Sequence, residues 1–359
     1  MKTNRRSALV ALFLAVLSVA CAGAGPKTSS SALPARGPGA EVKRLTYFSA
    51  GMSPERIAEL HEAAPNVDIV VVTREEALAR AGSAEGADAR LCSEGFLAAA
   101  PNLRWVQAWS AGVDRYLGLR GLMDNDAIAF ANMKGAHGPA ISEHVFATLL
   151  SLTRRLDRFR DAQREGRWSR DRDGMTTLAG RTLLVVGMGG IGTEVARRGR
   201  AFDMRVLATV RTKAEAPDFV DRLETADALD ELLPEADVVV LCVPLTDETR
   251  GLFDAERFEL MRPGAYLVNI ARGEVVDTDA LIGALDRGHL GGACLDVTDP
   301  EPLPEGHPLF GYENVVITPH VAGAGEVTGE RRFAIFKENV RRFGAGEPLA
   351  NLVDKDAGY

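Results

Sequence analysis

The apolar run Thr182-Leu183-Leu184-Val185-Val186 leads straight into Gly187-Met188-Gly189-Gly190-Ile191-Gly192, and this junction restricts the fold more than any other stretch of the chain. Helical spacing follows from Ile191 to Phe202, and strand character resumes from Arg205 to Thr209. Strand, glycine turn, helix and strand in that order make a βαβ unit, which requires a parallel sheet. Within it Gly187 permits a tight turn, Gly189 lets the backbone approach a pyrophosphate, and Gly192 lets the helix pack closely on the strand. Gly190 and Ile191 open the helix whose N-terminus then faces the phosphates. A glycine motif alone is weak evidence, but in this setting it predicts a dinucleotide-binding domain.

The pattern on either side is also alternating strand and helix. Strands are expected at 42–49, 67–73 and 105–109, with a helix over 54–64, and again at 238–243, 265–270, 292–297 and 315–318, with a helix over 278–286. A long helix over 141–159 would carry Val145, Leu149, Leu152 and Leu156 on one face, suited to bridging two lobes or meeting a second subunit. The fold class predicted is α/β with two Rossmann-like or flavodoxin-like lobes. In an open sheet of this kind ligands bind beyond the carboxyl ends of the strands, where Val243, Pro244, Ile270, Ala271, Arg272, Asp296, His320 and Gly323 fall.

The position that discriminates between the two nicotinamide cofactors lies at the end of the next strand, where an acidic residue would bind the ribose hydroxyls of NAD. Val210 stands there, followed by Arg211, Thr212 and Lys213, a set suited to a 2′-phosphate. NADP is therefore favoured, with NAD the alternative if the basic turn is merely solvated.

Three residues beyond the glycine loop suit the reduction of a 2-keto acid. Each follows an apolar run: Arg272 after Val268-Asn269-Ile270-Ala271, Glu301 after Leu295-Asp296-Val297, and His320 after Ile317-Thr318-Pro319. A guanidinium can fork to the carboxylate and keto oxygens, and an imidazolium can protonate the developing alkoxide. Glu301 would hydrogen-bond that imidazole, orient it and favour its charged form. Taken singly, each also reads as an ordinary turn, loop or strand-end residue.

Composition excludes several other classes. A formal charge of -8 without basic tracts gives no attraction to nucleic acid. Cys92, Cys242 and Cys294 form no CxxC pair and read as buried thiols, no Cys/His cluster has the spacing of a zinc site, and His137 and His144 read as ordinary histidines. No metal is expected.

The N-terminus is read separately. Lys2, Arg5 and Arg6 precede an apolar run from Ala8 to Ala20, too short to span a bilayer and suited to a secretory signal over 1–21. Leu17-Ser18-Val19-Ala20-Cys21 resembles an imperfect lipoprotein signal, in which Cys21 would carry the only membrane anchor, and Asn4-Arg5-Arg6-Ser7 resembles a twin-arginine signal. Residues 22–40, rich in Gly, Ser, Ala and Pro, read as a flexible tether. The expectation is export to a bacterial cell envelope; the alternative is an unprocessed tail on a cytoplasmic enzyme.

From Glu41 to Tyr359 the chain resembles the D-isomer-specific 2-hydroxyacid dehydrogenases. The resemblance rests on Trp109-Ser110-Ala111-Gly112-Val113-Asp114, the glycine loop, Val243-Pro244-Leu245-Thr246, Asn269-Ile270-Ala271-Arg272-Gly273, Asp296 through Pro302, Thr318-Pro319-His320 and Gly346-Glu347-Pro348-Leu349-Ala350-Asn351. It implies a cofactor domain over 138–319, inserted into a discontinuous substrate domain made of 41–137 and 320–359. It further implies that Arg272, Glu301 and His320 are the catalytic residues, that Ser110, Ala111 and Gly112 form the loop whose N–H groups hold the substrate carboxylate, and that Asp296 lies near the nicotinamide carboxamide. A homodimer formed through the cofactor domain is implied as well. Glu301-Pro302-Leu303-Pro304 and His307-Pro308-Leu309 look most like members that reduce glyoxylate or hydroxypyruvate. The rival readings are a formate- or phosphite-type dehydrogenase and a nucleotide-sensing protein on the same fold.

Overall fold

The structure, a computed structural model, describes residues 43–359; the signal, the tether and Cys21 lie outside the described residues. Two all-parallel sheets organise the chain. The first takes β1 (Leu45–Ser49), β2 (Val67–Val71), β3 (Gly86–Asp88), β4 (Trp105–Gln107) and β5 (Ala129–Ala131) in the order β2-β1-β3-β4-β5. The second takes β6 (Thr182–Val186), β7 (Arg205–Val210), β8 (Arg222–Thr225), β9 (Val238–Leu241), β10 (Tyr266–Asn269), β11 (Gly292–Leu295) and β12 (Val315–Ile317) in the order β12-β11-β10-β9-β6-β7-β8. Strand order reverses between β1 and β3 in the first sheet and between β6 and β9 in the second, so each lobe has a crevice at the carboxyl ends of those strands.

The strands are legible because they are buried on both faces. Every residue of β6, β9, β10 and β11 is buried, the near-continuous apolar run that a sheet covered on both sides requires. The short strands β3, β5 and β8 were not expected; the first two have only three residues each, too few to show a periodicity.

Five helices bear on the site. In α1 (Pro54–Ala63), Ser53 caps the first turn by accepting from the Arg56 amide, and Pro54 loses no bond at the first position. The helix α2 (Gly138–Thr153) lays Ile141, Val145, Leu149 and Leu152 into the core of the second lobe. The continuous helix expected over 141–159 is instead two, because Arg155 adopts a left-handed conformation (φ 53) before α3 (Leu156–Arg164) begins. Beyond Thr153 the apolar stripe stops, Leu156 is exposed, and only Ala162 of α3 is buried, so no packing holds the helix straight. The nucleotide-type helix is α4 (Gly190–Ala201).

The last helix, α5 (Glu326–Ala345), returns to the first lobe. Its Phe333, Phe336, Val340 and Phe343 join Leu45, Tyr47 and Trp105 in one core, with Trp105 between the rings of Phe336 (5.6 Å) and Phe343 (5.2 Å). Full burial of each such ring stabilises by about 1.5–3 kcal/mol. The second sheet is thus inserted in sequence between β5 and the helix that completes the first lobe.

Candidate active site

The glycine loop has the geometry that a dinucleotide requires. Gly187 sits at φ +99, and a Cβ there would press to 2.9 Å from Val243 Cγ1 and 3.0 Å from the Cys242 carbonyl. A Cβ on Gly192 would overlap the Gly187 carbonyl oxygen, so only glycine lets α4 start this close to β6. The end of β7 anchors the loop: Thr209 Oγ1 accepts from the Gly187 amide (3.2 Å), and the Thr209 carbonyl accepts from the Met188 amide (2.7 Å). No side chain caps the start of α4, and nothing lies within 4 Å of the Cβ direction of Gly189, so the first-turn N–H groups remain available to an anion. These residues fit a pyrophosphate.

The other predicted cofactor positions lie along one edge of the second sheet. Val243 and Pro244 follow β9, Ile270 to Arg272 follow β10, and Asp296 follows β11. Ile270 and Ala271 are buried and shape the turn, whereas Gly190 and Ile191 begin α4, and Gly323 packs against the ring of His137. On the far side of β6, Arg211, Thr212 and Lys213 are exposed after β7, and the Arg211 guanidinium lies 4.7 Å from the centre of the Tyr359 ring.

Arg272 is set by three neighbours. Asn269, fully buried at the end of β10, accepts from the Ala271 amide (3.0 Å) and donates to the Arg272 carbonyl (2.8 Å), which fixes the turn. The guanidinium donates to Asp114 Oδ1 from Nη2 (2.8 Å) and Nε (3.1 Å), and to the Ala271 carbonyl from Nη1 (2.7 Å). Burial pushes the Asp114 carboxyl up, but the hydrogen bonds and charge of Arg272 outweigh it and hold it below its usual range. Gly112 makes this approach sterically feasible, because a Cβ there would overlap the guanidinium. Sequence reading left Asp114 and Asn269 out of the site: a run quoted as a motif does not reveal which of its side chains reaches across to another lobe.

The loop from Ser110 to Gly112 closes on itself. Ser110 Oγ donates to the Gly112 carbonyl (2.7 Å), and Asn132 Nδ2 donates to the Ala111 carbonyl (3.0 Å). Ser110 therefore supports the loop through its hydroxyl. Among the described residues the N–H groups of Ala111 and Gly112 donate to no protein acceptor.

His320 and Glu301 are paired, Nδ1 to Oε1, at 2.8 Å. Both side chains are 44% exposed, so the pair adds orientation more than stability. Facing a carboxylate, Nδ1 carries a proton and Nε2 is left for another partner. The backbone of His320 is left-handed (φ 52) and is held there by Asp296. Its carboxylate accepts from the Val321 amide (2.9 Å), the Ala322 amide (2.9 Å) and Thr318 Oγ1 (2.7 Å), and its carbonyl accepts from the His320 amide (2.8 Å). Thr318 Oγ1 also meets His144 Nε2 at 2.9 Å. His144, read from sequence as an ordinary histidine, thus touches this network, and Asp296, whatever it offers a nicotinamide, orders the loop that carries His320.

Since β10, β11 and β12 are adjacent, Arg272 and His320 share one sheet edge, and the contact of Arg272 with Gly112 brings in the first lobe. A dinucleotide loop at a strand switch point, an arginine and a carboxylate-held histidine at the same edge define a two-lobed nicotinamide-dependent oxidoreductase.

The chain belongs to the D-isomer specific 2-hydroxyacid dehydrogenases, and residues 146–322 match the NAD binding domain of that family. It is 38% identical over 263 residues to a glyoxylate reductase of Korarchaeum cryptofilum, a match covering 72% of this chain and 78% of that one. Among solved structures it is similar to a D-isomer specific 2-hydroxyacid dehydrogenase from Xanthobacter autotrophicus Py2 in complex with NADPH and MES (32% identity, TM-score 0.74, 89% of this chain and 100% of that chain). It is also similar to an NADPH-dependent glyoxylate/hydroxypyruvate reductase from Sinorhizobium meliloti in complex with NADP and sulfate (28% identity, TM-score 0.73, 88% and 100%). The protein is accordingly an oxidoreductase acting on a CH–OH group.

Proposed function

We propose that this protein reduces a small 2-keto acid to the D-2-hydroxy acid, with glyoxylate and hydroxypyruvate as the nearest model substrates and NADPH as the preferred donor. The observation that carries the reading is the shared sheet edge of Arg272 and the Glu301–His320 pair, with Arg272 lying against Gly112, whose N–H, like that of Ala111, is unpaired among the described residues.

The N–H groups of Ala111 and Gly112 receive the substrate carboxylate. Arg272 forks between that carboxylate and the keto oxygen, steadied by Asp114 and Asn269. His320, with Nδ1 held by Glu301, gives the proton on Nε2 to the same oxygen. A nicotinamide nucleotide held at the Gly187–Gly192 loop would supply the hydride for C2. Carbon gains a hydride, oxygen gains a proton, and the carbonyl becomes CH–OH.

The cofactor preference rests on the absence of an acid at Val210 and on exposed Arg211 and Thr212, with the Arg211 guanidinium 4.7 Å from the centre of the Tyr359 ring and free to meet a 2′-phosphate. The NADPH and NADP held by the Xanthobacter and Sinorhizobium proteins support the same preference, and NAD is the alternative. A homodimer is also part of this reading, as is export by the leader, with Cys21 as the lipid-bearing residue.

The test is oxidation of NADPH and NADH by the purified protein with glyoxylate, hydroxypyruvate and pyruvate, repeated with Arg272→Ala. Keto-acid-dependent oxidation with NADPH preferred, reduced about 10²-fold or more by the substitution, is the expected result. Preference for NADH would overturn the cofactor assignment alone. Tight nucleotide binding without any turnover would point to a sensing protein.

A further inference from the structure

A second feature of the first lobe bears on the substrate itself. At the carboxyl ends of β1, β3 and β4 lies a cavity of about 460 Å³, bordered by Met52, Arg56, Arg90, Trp109 and Arg332. It occupies the switch point of the first sheet, between β1 and β3, where an open parallel sheet takes its ligands. Trp109 is followed directly by Ser110 to Gly112, and Arg332 stands on α5, which begins six residues after His320. Two of the segments that line the cavity thus also carry residues of the proposed reacting centre.

Its charges do not balance within the protein. Arg90 is matched by buried Asp88 (Nη2 to Oδ2, 2.5 Å), and Arg56 reaches Glu330 at 3.3 Å, an acid whose side chain is 77% exposed. Among the described residues Arg332 has no acidic partner; its Nε is buried without a hydrogen bond, and its guanidinium lies 5.3 Å from the centre of the Trp109 ring. A partly buried guanidinium without an anion is costly, and three around one cavity repel one another. Burial, and then the charges of Arg90 and Arg56 against the opposing charge of Asp88, lower the pKa of Arg332, and its own charge contributes after burial to depressing that of His137. An anion placed among them offsets the repulsion and gives Arg332 a partner.

We infer that this cavity receives a second negative group of the substrate, so that the preferred substrate is a 2-keto acid carrying a carboxylate or phosphate on the carbon chain beyond its carbonyl. The inference rests on the 2-keto acid reading above and narrows it. Beside its carboxylate, glyoxylate carries only hydrogen on the carbonyl carbon and leaves Arg332 without a partner. A chain of two or three further carbons ending in an anion reaches toward Arg332 and Arg56 while its first carboxylate stays on Ala111 and Gly112. The planar guanidinium of Arg332, 5.3 Å from the centre of the Trp109 ring, can take an anion in bidentate contact.

The experiment compares kcat/KM for 2-oxobutanoate with that for oxaloacetate, 2-oxoglutarate and 3-phosphohydroxypyruvate, in the wild-type protein and in Arg332→Gln and Arg332→Lys. Arg332 is chosen because its removal leaves no buried acid unpaired, whereas removing Arg90 would strand Asp88. At least one acid with a second anion should exceed 2-oxobutanoate, and the carboxylate and phosphate arms identify which. Arg332→Gln should lower that preference ratio on the order of 10–100-fold, chiefly through KM, and lysine should restore part of it. A ratio favouring 2-oxobutanoate, or one unmoved by Arg332→Gln, overturns the inference while the reductase reading stands. Calorimetric binding of D-malate and D-2-hydroxybutyrate in the presence of NADP covers the remaining outcome. If nothing is reduced, yet D-malate binds more tightly and loses that advantage in Arg332→Gln, the reductase reading fails and the anion site stands. Equal binding of the two acids overturns the site.

Discussion

The residues that matter most are held by neighbours distant in sequence. His320 keeps a left-handed backbone, which costs a non-glycine residue on the order of 1–3 kcal/mol, and Asp296 supplies the bonds that maintain it. Asparagine tolerates the same backbone region, so His320→Asn should fold and change only the ring. We expect kcat to fall about 10²–10⁴-fold and the basic limb of the pH profile of reduction to disappear, because no group then gains and loses the transferred proton. A profile of wild-type shape, measured by steady-state kinetics, would count against His320 as the donor. The identities of Arg272, Glu301 and His320 were legible as residue types after apolar runs. Asp114, Asn269, Thr318 and His144 were not, since their importance lies in which atom each touches.

Elements were legible where burial made them uniform. The apolar runs of β6, β9, β10 and β11 announced themselves, and α4 was readable because the glycine loop dictates a helix start. The break between α2 and α3 was not, because repeated Arg and Asp prolong an apparently helical pattern past the last core contact. His137, which leads into α2, links element to stability. Burial, and then the charge of Arg332, lower its pKa from 6.5 to about 4. The unfolded chain therefore takes up a proton that the folded chain refuses between those values, and stability falls as pH drops through this window. His137→Gln should flatten that dependence by up to one proton, read from urea unfolding at several pH values across it. An unaltered slope would show that the imidazole is protonated as readily folded as unfolded.

At the scale of the whole molecule, each of two sheets has a switch-point crevice at its carboxyl ends, and the Arg272–Asp114 pair spans the two lobes. One surface residue stands out against this arrangement. Trp168, in the irregular segment after α3, is 90% exposed, an unusual position for so large an apolar ring and one that suits the proposed homodimer. Light scattering should give twice the chain mass, and Trp168→Asp should shift the equilibrium toward monomer. A wild-type protein that is monomeric at micromolar concentration would remove the dimer from the proposal.

The sequence by itself determined the nucleotide-binding lobe, the family and the residue types proposed for the chemistry. Those depend on local constraints, namely a turn only glycine can make and strands that must be apolar throughout. Tertiary structure alone decided which acid holds which base, that Asp296 shapes the histidine loop, and that Arg56, Arg90 and Arg332 surround one cavity. These three arginines lie on segments up to about 280 residues apart, and each alone resembles a solvated surface charge. They become a site only when the strand order places the ends of β1 and β3 side by side and α5 folds back across them.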